Sequence, residues 1–175
     1  MADGSERTLR ALGRVSANFA ALEVSTSLMI WALIGDEDEV GQIVTAKLSY
    51  RQLLDILAGL THYRCGDSRE IHAELMAFIK TADAAQQKRN IVLHSAYTAP
   101  NEGEEEMGRL KMRLDRKRGL AKDVFFDEAT SEVEAAADQV RDAANEAFRL
   151  MDRLEEVSNV LKIRLTDPPA RGTDE

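Results

Sequence analysis

The most chemically suggestive stretch of the chain is Arg89-Asn90-Ile91-Val92-Leu93-His94. Its polar members are a permanent cation, an amide that both donates and accepts hydrogen bonds, and an imidazole. With 100° between successive helical residues and Asn90 as zero, Asp83 falls at about +20°, Gln86 at about −40°, Gln87 at about +60°, His94 at about +40° and Tyr97 at about −20°. These polar groups share one helix face, and Ile91, Val92 and Leu93 fill the opposite side. Asn90 and His94 are four apart, so the amide can orient the imidazole; Tyr97 follows His94 by three, the other contact spacing. Arg89 stands about 140° from His94. Within one chain the two meet only if the arginine reaches around or the helix is distorted. Across a two-fold axis they could converge in one cleft, which favours a dimeric site. The plainer alternative stays open beside this one: the same polar face fits a solvated helix with a surface histidine and a surface ion pair.

The elements that would position this segment are helices. Leu12, Val15, Phe19, Leu22, Thr26, Met29 and Leu33 recur at alternating spacings of three and four, which predicts a first helix over about 5–34. Gly35 and the run Asp36-Glu37-Asp38-Glu39 end it. The acidic run lacks the spaced ligands and glycine of a calcium loop, and it suits the solvated start of the next helix. A second helical region covers about 40–63, with a break near Leu48 because Ser49 and Gln52 form a capping-box pattern. Gly66, Asp67 and Ser68 make a turn, and a third helix runs over about 68–97, stopping before Pro100. An acidic loop follows, with four glutamates between Asn101 and Met107.

From Arg109 to Lys122 the charge reverses: seven Lys or Arg residues stand against one Asp. Arg109-Leu110-Lys111-Met112-Arg113-Leu114 alternates basic and apolar, the period of a half-buried strand. Arg116 to Gly119 reads as a turn, and Val124-Phe125-Phe126 as a returning strand. The last helix is expected over about 128–164, with Val133, Ala137, Val140, Ala144, Ala147, Met151, Leu154, Ser158 and Leu161 on one stripe. Residues 166–175, with Pro168, Pro169 and Gly172, read as a disordered tail. The fold expected is all-α: a single domain over 1–165, an up-down four-helix bundle with a small β-hairpin (about 108–126) inserted before the last long helix.

Composition narrows the class. The chain has 175 residues, 44% hydrophobic and only 5% aromatic, enough for a core of closely packed helices. The net charge of −8 means that nucleic-acid binding must rest on a local basic patch. Cys65 is the only cysteine, so no internal disulfide forms, and its place in Tyr-Arg-Cys-Gly-Asp reads as a surface or loop position. The N-terminus does not read as a signal peptide, and the longest apolar run, Leu28 to Ile34, is too short to span a bilayer. A cytoplasmic, soluble protein without membrane attachment is the expectation.

Arg89-Asn90, three apolar residues and His94, set late in the third helix of such a chain, resemble the Arg-x4-His motif of the HEPN superfamily (higher eukaryotes and prokaryotes nucleotide-binding domains). A long first helix, a helical hairpin, the motif, a variable insertion and a long last helix follow the same pattern. The resemblance implies a metal-independent endoribonuclease acting as a homodimer on single-stranded RNA, as a toxin or defence effector, with both motifs at the dimer interface. It implies that His94 is general base or acid at the 2′-hydroxyl and leaving oxygen. Arg89 would stabilise the phosphorane-like transition state, and Asn90 would orient or hydrogen-bond. The products would carry 2′,3′-cyclic phosphate and 5′-hydroxyl ends. Tyr97, Asp83 and Gln86 are candidate supporting residues. No cofactor or metal is expected, since His62, His72 and His94 have no partners at ligand spacing. An antitoxin or other regulatory protein is a candidate partner. Some relatives are controlled by AMP transfer to a tyrosine two residues past the histidine; here that position is Ala96, and the tyrosine is Tyr97.

Beside such a site, Arg109, Lys111 and Arg113 on one strand face, with Arg116, Lys117 and Arg118 in the turn, are candidate RNA-phosphate contacts. The alternative for this ridge is pairing with the acidic loop or the acidic last helix. Two further readings of the whole chain remain: a non-catalytic HEPN-like dimerisation or regulatory module, and a nucleotide-binding bundle.

Overall fold

A computed structural model describes residues 4–35, 38–66, 68–99, 107–115, 119–125 and 129–165, with the backbone alone described at 38, 111–115, 119–125, 129 and 157–165. The element order is α1 (Gly4–Ile34), α2 (Asp38–Thr45), α3 (Tyr50–Cys65), α4 (Arg69–Leu93), β1 (Ala96–Thr98), β2 (Gly108–Asp115), β3 (Gly119–Phe125) and α5 (Ala129–Leu165). The chain is thus mostly helical, with a small antiparallel hairpin just before the last helix, as the periodicity predicts. It divides into two compact units, Met1–Leu22 with Thr81–Ala144 and Glu23–Lys80 with Asn145–Glu175. Helices α1, α4 and α5 contribute residues to both.

In the first unit the helices pack through small residues. Ala11, Val15, Ala82, Ala85, Val92, Val133, Ala136, Ala137, Val140, Ala143 and Ala144 are buried, and alanine at so many contacts lets helix axes approach closely. Two polar ties fix α1 to α5: the Thr8 and Thr130 hydroxyls meet at 2.8 Å, and Asn18 Nδ2 donates to the Ala137 carbonyl at 3.1 Å. Exposed ion pairs, Arg7–Glu134 and Arg14–Asp138, flank them and add little each.

The sheet also belongs to this unit, in the order β1-β2-β3. The hairpin expected from alternation is present, with Arg109 opposite Phe125 and Lys111 opposite Asp123. The alternation gives no sign of the third strand. The sequence pattern predicts a third helix to Tyr97, but α4 ends at Leu93, and Ala96, Tyr97 and Thr98 pair with Leu110, Arg109 and Gly108. Ser95 Oγ donates to the Ile91 carbonyl at 2.6 Å, occupying an acceptor of the last helical turn, and the β-favouring Tyr and Thr then join β2.

The second unit is built on Met29, Ile30, Leu33, Tyr50, Leu53, Leu54, Leu57, Ile71, Leu75, Phe78, Leu150 and Leu154, all buried. Gly35, at φ 68°, closes α1 in the left-handed conformation that glycine adopts without strain. Arg64 caps the same helix end by donating to the Leu33 and Ile34 carbonyls at 3.1 and 3.2 Å. Helix α2 lies against Trp31 because residue 41 is glycine: an added Cβ would come within 2.5 Å of the indole. The indole N–H donates to Thr45 Oγ1 at 2.9 Å. The predicted break before α3 is real, and Ser49 and Gln52 form the reciprocal capping box there.

Two expectations need correction. Cys65 is not a surface or loop residue; it ends α3 and is fully buried, and desolvation pushes its thiol pKa up. The bilayer argument holds only for unbroken apolar runs: α1 reaches a mean hydropathy of 1.5 over an 18-residue window, enough by length and composition to cross a membrane. Of that window 39% is buried inside the protein; Val15, Phe19, Leu22, Met29, Ile30 and Leu33 are among the buried side chains of α1, and Leu9 and Val24 are exposed.

Candidate functional site

The motif occupies the last turns of α4. The His94 N–H still donates to the Asn90 carbonyl at 3.1 Å, so the helical path holds through the motif although the helix proper ends at Leu93. Val92 faces inward and packs with Ala11, Val15, Val133, Ala136 and Ala137. That apolar anchor sets the rotation of the helix and so decides which motif residues reach the outside.

Arg89 turns towards α1. Its guanidinium lies over the Phe19 ring, 4.8 Å from the centroid, and Nη1 donates to Asn90 Oδ1 at 2.9 Å. Nε is buried without a hydrogen-bond partner. Among the described residues no carboxylate pairs with this guanidinium, so a half-buried positive charge is held by a ring face and one neutral amide. Those partners hold it in place while leaving its charge uncompensated.

His94 is exposed, and among the described residues no side chain hydrogen-bonds its imidazole. The orienting contact expected from Asn90 is absent, because the Asn90 amide oxygen serves Arg89 instead. No hydrogen bond, ion pair or ring contact joins Arg89 to His94, in keeping with their angular separation. Asp83 accepts from Gln87 at 2.9 Å, an i,i+4 pair one to two turns earlier, and Gln86 is half-buried on the same helix.

Tyr97 leaves the group. It lies on β1 rather than on the helix face, packs on the core cluster of the first unit, and donates its hydroxyl to the Val92 carbonyl at 2.9 Å. Burial pushes its phenol pKa up, with the charge and hydrogen bond of Arg109 opposing this and Glu132 adding to it. Arg109 likewise leaves the solvent-facing ridge that the alternation suggested. Its side chain is only 5% exposed and is ion-paired with Glu132 of α5. The pairing of the basic segment with the acidic last helix is therefore realised at its first residue. Lys111 and Arg113 occupy alternate positions further along β2, with Asp123 and Ala121 as cross-strand neighbours. Arg116, Lys117 and Arg118 lie outside the described residues.

Sequence reasoning missed three features. Phe19 reads as one more member of an apolar stripe, and nothing in the spacing marks it as the seat of a guanidinium. Glu132 carries no signal beyond its place in a helix first turn. His62 and His72 meet, Nδ1 to Nε2, at 2.9 Å, although ten residues of sequence separate them. Among the described residues no group of three or more His, Cys, Asp and Glu gathers to hold a metal. No protein-family model, curated protein or solved structure matches the chain.

Proposed function

We propose that the chain is a metal-independent endoribonuclease of HEPN type that acts as a homodimer on single-stranded RNA, as a toxin or defence effector. The observation that carries this reading is the Arg89 guanidinium, half-buried, seated on Phe19 and uncompensated by any described carboxylate, with the exposed His94 imidazole five residues on. A phosphate supplies the negative charge that this cation lacks. The imidazole takes the proton of the 2′-hydroxyl and returns it to the leaving 5′-oxygen, which leaves a 2′,3′-cyclic phosphate and a 5′-hydroxyl. Because the two side chains diverge on one protomer, the working pair is Arg89 of one chain and His94 of a second. Asn90 holds the guanidinium rather than the imidazole.

RNA tracking in this reading rests on Lys111 and Arg113, not on the ion-paired Arg109. Regulation by a partner antitoxin remains part of the same proposal, without AMP transfer to Tyr97, whose hydroxyl is engaged by Val92. The second reading is a non-catalytic dimerisation, regulatory or nucleotide-binding module; the Arg89–Asn90 bond favours it, since that bond gives two motif residues a structural role.

The test is incubation of the purified chain with mixed-sequence single-stranded RNA in EDTA, beside Arg89→Ala and His94→Ala. Cleavage by the wild type alone, with cyclic-phosphate ends, supports the enzyme. An inert wild type, with variants that fold or dimerise worse, supports the module.

A further inference from the structure

The turn between α3 and α4 brings two histidines together in the second unit. Ser68 N–H donates to the Cys65 carbonyl at 2.9 Å and His72 N–H to the Ser68 carbonyl at 3.1 Å, so α4 starts directly after α3 ends. His62 lies three residues before the end of α3, and His72 three after the start of α4. These matched positions bring the rings together across the hairpin in a tilted arrangement, with centroids 4.8 Å apart, planes inclined at 52°, and His62 Nδ1 and His72 Nε2 separated by 2.9 Å. His62 is exposed and His72 partly so. Gly59, one turn before His62, leaves open space where a side chain would stand.

From this geometry we infer a binding site for one divalent transition-metal ion of the copper, nickel and zinc class, chelated by His62 Nδ1 and His72 Nε2 and completed by water. Imidazole nitrogens bind such ions at about 2.0–2.1 Å, so two in adjacent positions of a square-planar or octahedral sphere lie about 2.9 Å apart. The observed separation matches that spacing; a tetrahedral pair would need to open by a few tenths of an ångström. With neutral rings, one facing nitrogen carries the proton shared between them. Ligation moves that proton to the other nitrogen of the same ring, which frees both facing lone pairs, and a small tilt of the rings converges them on the metal. The ion clamps the end of α3 to the start of α4. This inference is independent of the ribonuclease reading: the two histidines are not part of the motif.

The test is calorimetric titration of NiCl2 into the untagged 175-residue chain, with thermal melts followed by circular dichroism. The expected result is one Ni2+ per chain, with affinity falling by about tenfold or more in His62→Ala and in His72→Ala, because either change removes the intramolecular second ligand. Ni2+ should raise the Tm of the wild type and not that of either variant. Melts in EDTA check that both variants fold as the wild type does. A wild type that takes up no Ni2+ at millimolar concentration, or variants that bind it as tightly as the wild type, overturns the site.

Discussion

Arg89 and Arg109 sit in the same unit, and both carry the kind of side chain that recognises phosphate, yet they are held in opposite ways. Arg109 is almost completely enclosed and its charge is cancelled by Glu132, with Tyr97 opposite it in the β1–β2 register. Arg89 is half-buried, rests on an aromatic face and bonds a neutral amide, with no described carboxylate paired to it. A cation paired with a carboxylate ties elements together, here β2 to the first turn of α5. A cation fixed by neutral partners keeps its field for a ligand. Charge compensation, not burial, separates the structural arginine from the functional candidate.

The largest expected effect lies on the functional side. Arg89→Ala should lower RNA cleavage by about 10²–10³-fold, the usual loss when a preorganised charge-stabilising group is removed. Its unfolding free energy should shift by no more than about 1 kcal/mol, since Arg89 has no ion pair among the described residues to lose. The comparison breaks if the variant keeps its cleavage rate and unfolds readily instead.

Arg109→Met should do the reverse. It leaves Glu132 without its partner and should cost about 1–3 kcal/mol in urea unfolding, less than a fully buried pair because Glu132 is partly solvated. Cleavage per folded molecule should stay near wild type. A loss of cleavage as large as that of Arg89→Ala would return Arg109 to the RNA-binding ridge.

Phe19→Leu sharpens the contrast at the seat of Arg89. A smaller apolar group without a ring face should cost about 1–2 kcal/mol of stability and loosen the guanidinium, so cleavage should fall while the fold survives. Unchanged cleavage would mean that the ring does no positioning.

The smallest effect is at Tyr97, the companion of Arg109. Tyr97→Phe removes the hydroxyl bond to the Val92 carbonyl and should cost about 1 kcal/mol. The pH dependence follows from the raised phenol pKa. The folded state favours the neutral ring, so this contribution is complete below the ordinary tyrosine pKa and is lost as pH climbs through the raised value. Alkaline unfolding curves should therefore fall less steeply in Tyr97→Phe than in wild type; parallel curves would remove Tyr97 from the account.

Much of this architecture is legible from local pattern. The apolar stripes of α1 and α5, the Ser49–Gln52 cap and the alternation of β2 are encoded within a few turns of sequence, and the structure reproduces them; β3 starts at Gly119, earlier than the expected return at Val124. The end of α4 is less legible. Pro100 marks where a helix cannot continue, but the chain departs six residues earlier because Ala96-Tyr97-Thr98 pairs with β2, whose partner residues lie ten to fourteen positions away in sequence. The candidate site divides along the same line. Arg89, Asn90 and His94 are found by spacing, and their divergence on the helix follows from its 100° step. The seat on Phe19, the Arg109–Glu132 pair and the His62–His72 junction depend on long-range packing, which periodicity does not encode.

The most direct measurement is RNA cleavage in EDTA by an equimolar mixture of Arg89→Ala and His94→Ala chains after dissociation and reassociation. If Arg89 of one protomer works with His94 of the other, each mixed dimer holds one intact pair, and random pairing restores about a quarter of wild-type sites from two inactive parents. An active wild type whose mixed variants recover nothing would contradict the shared site, and a wild type inert on RNA would contradict the ribonuclease itself.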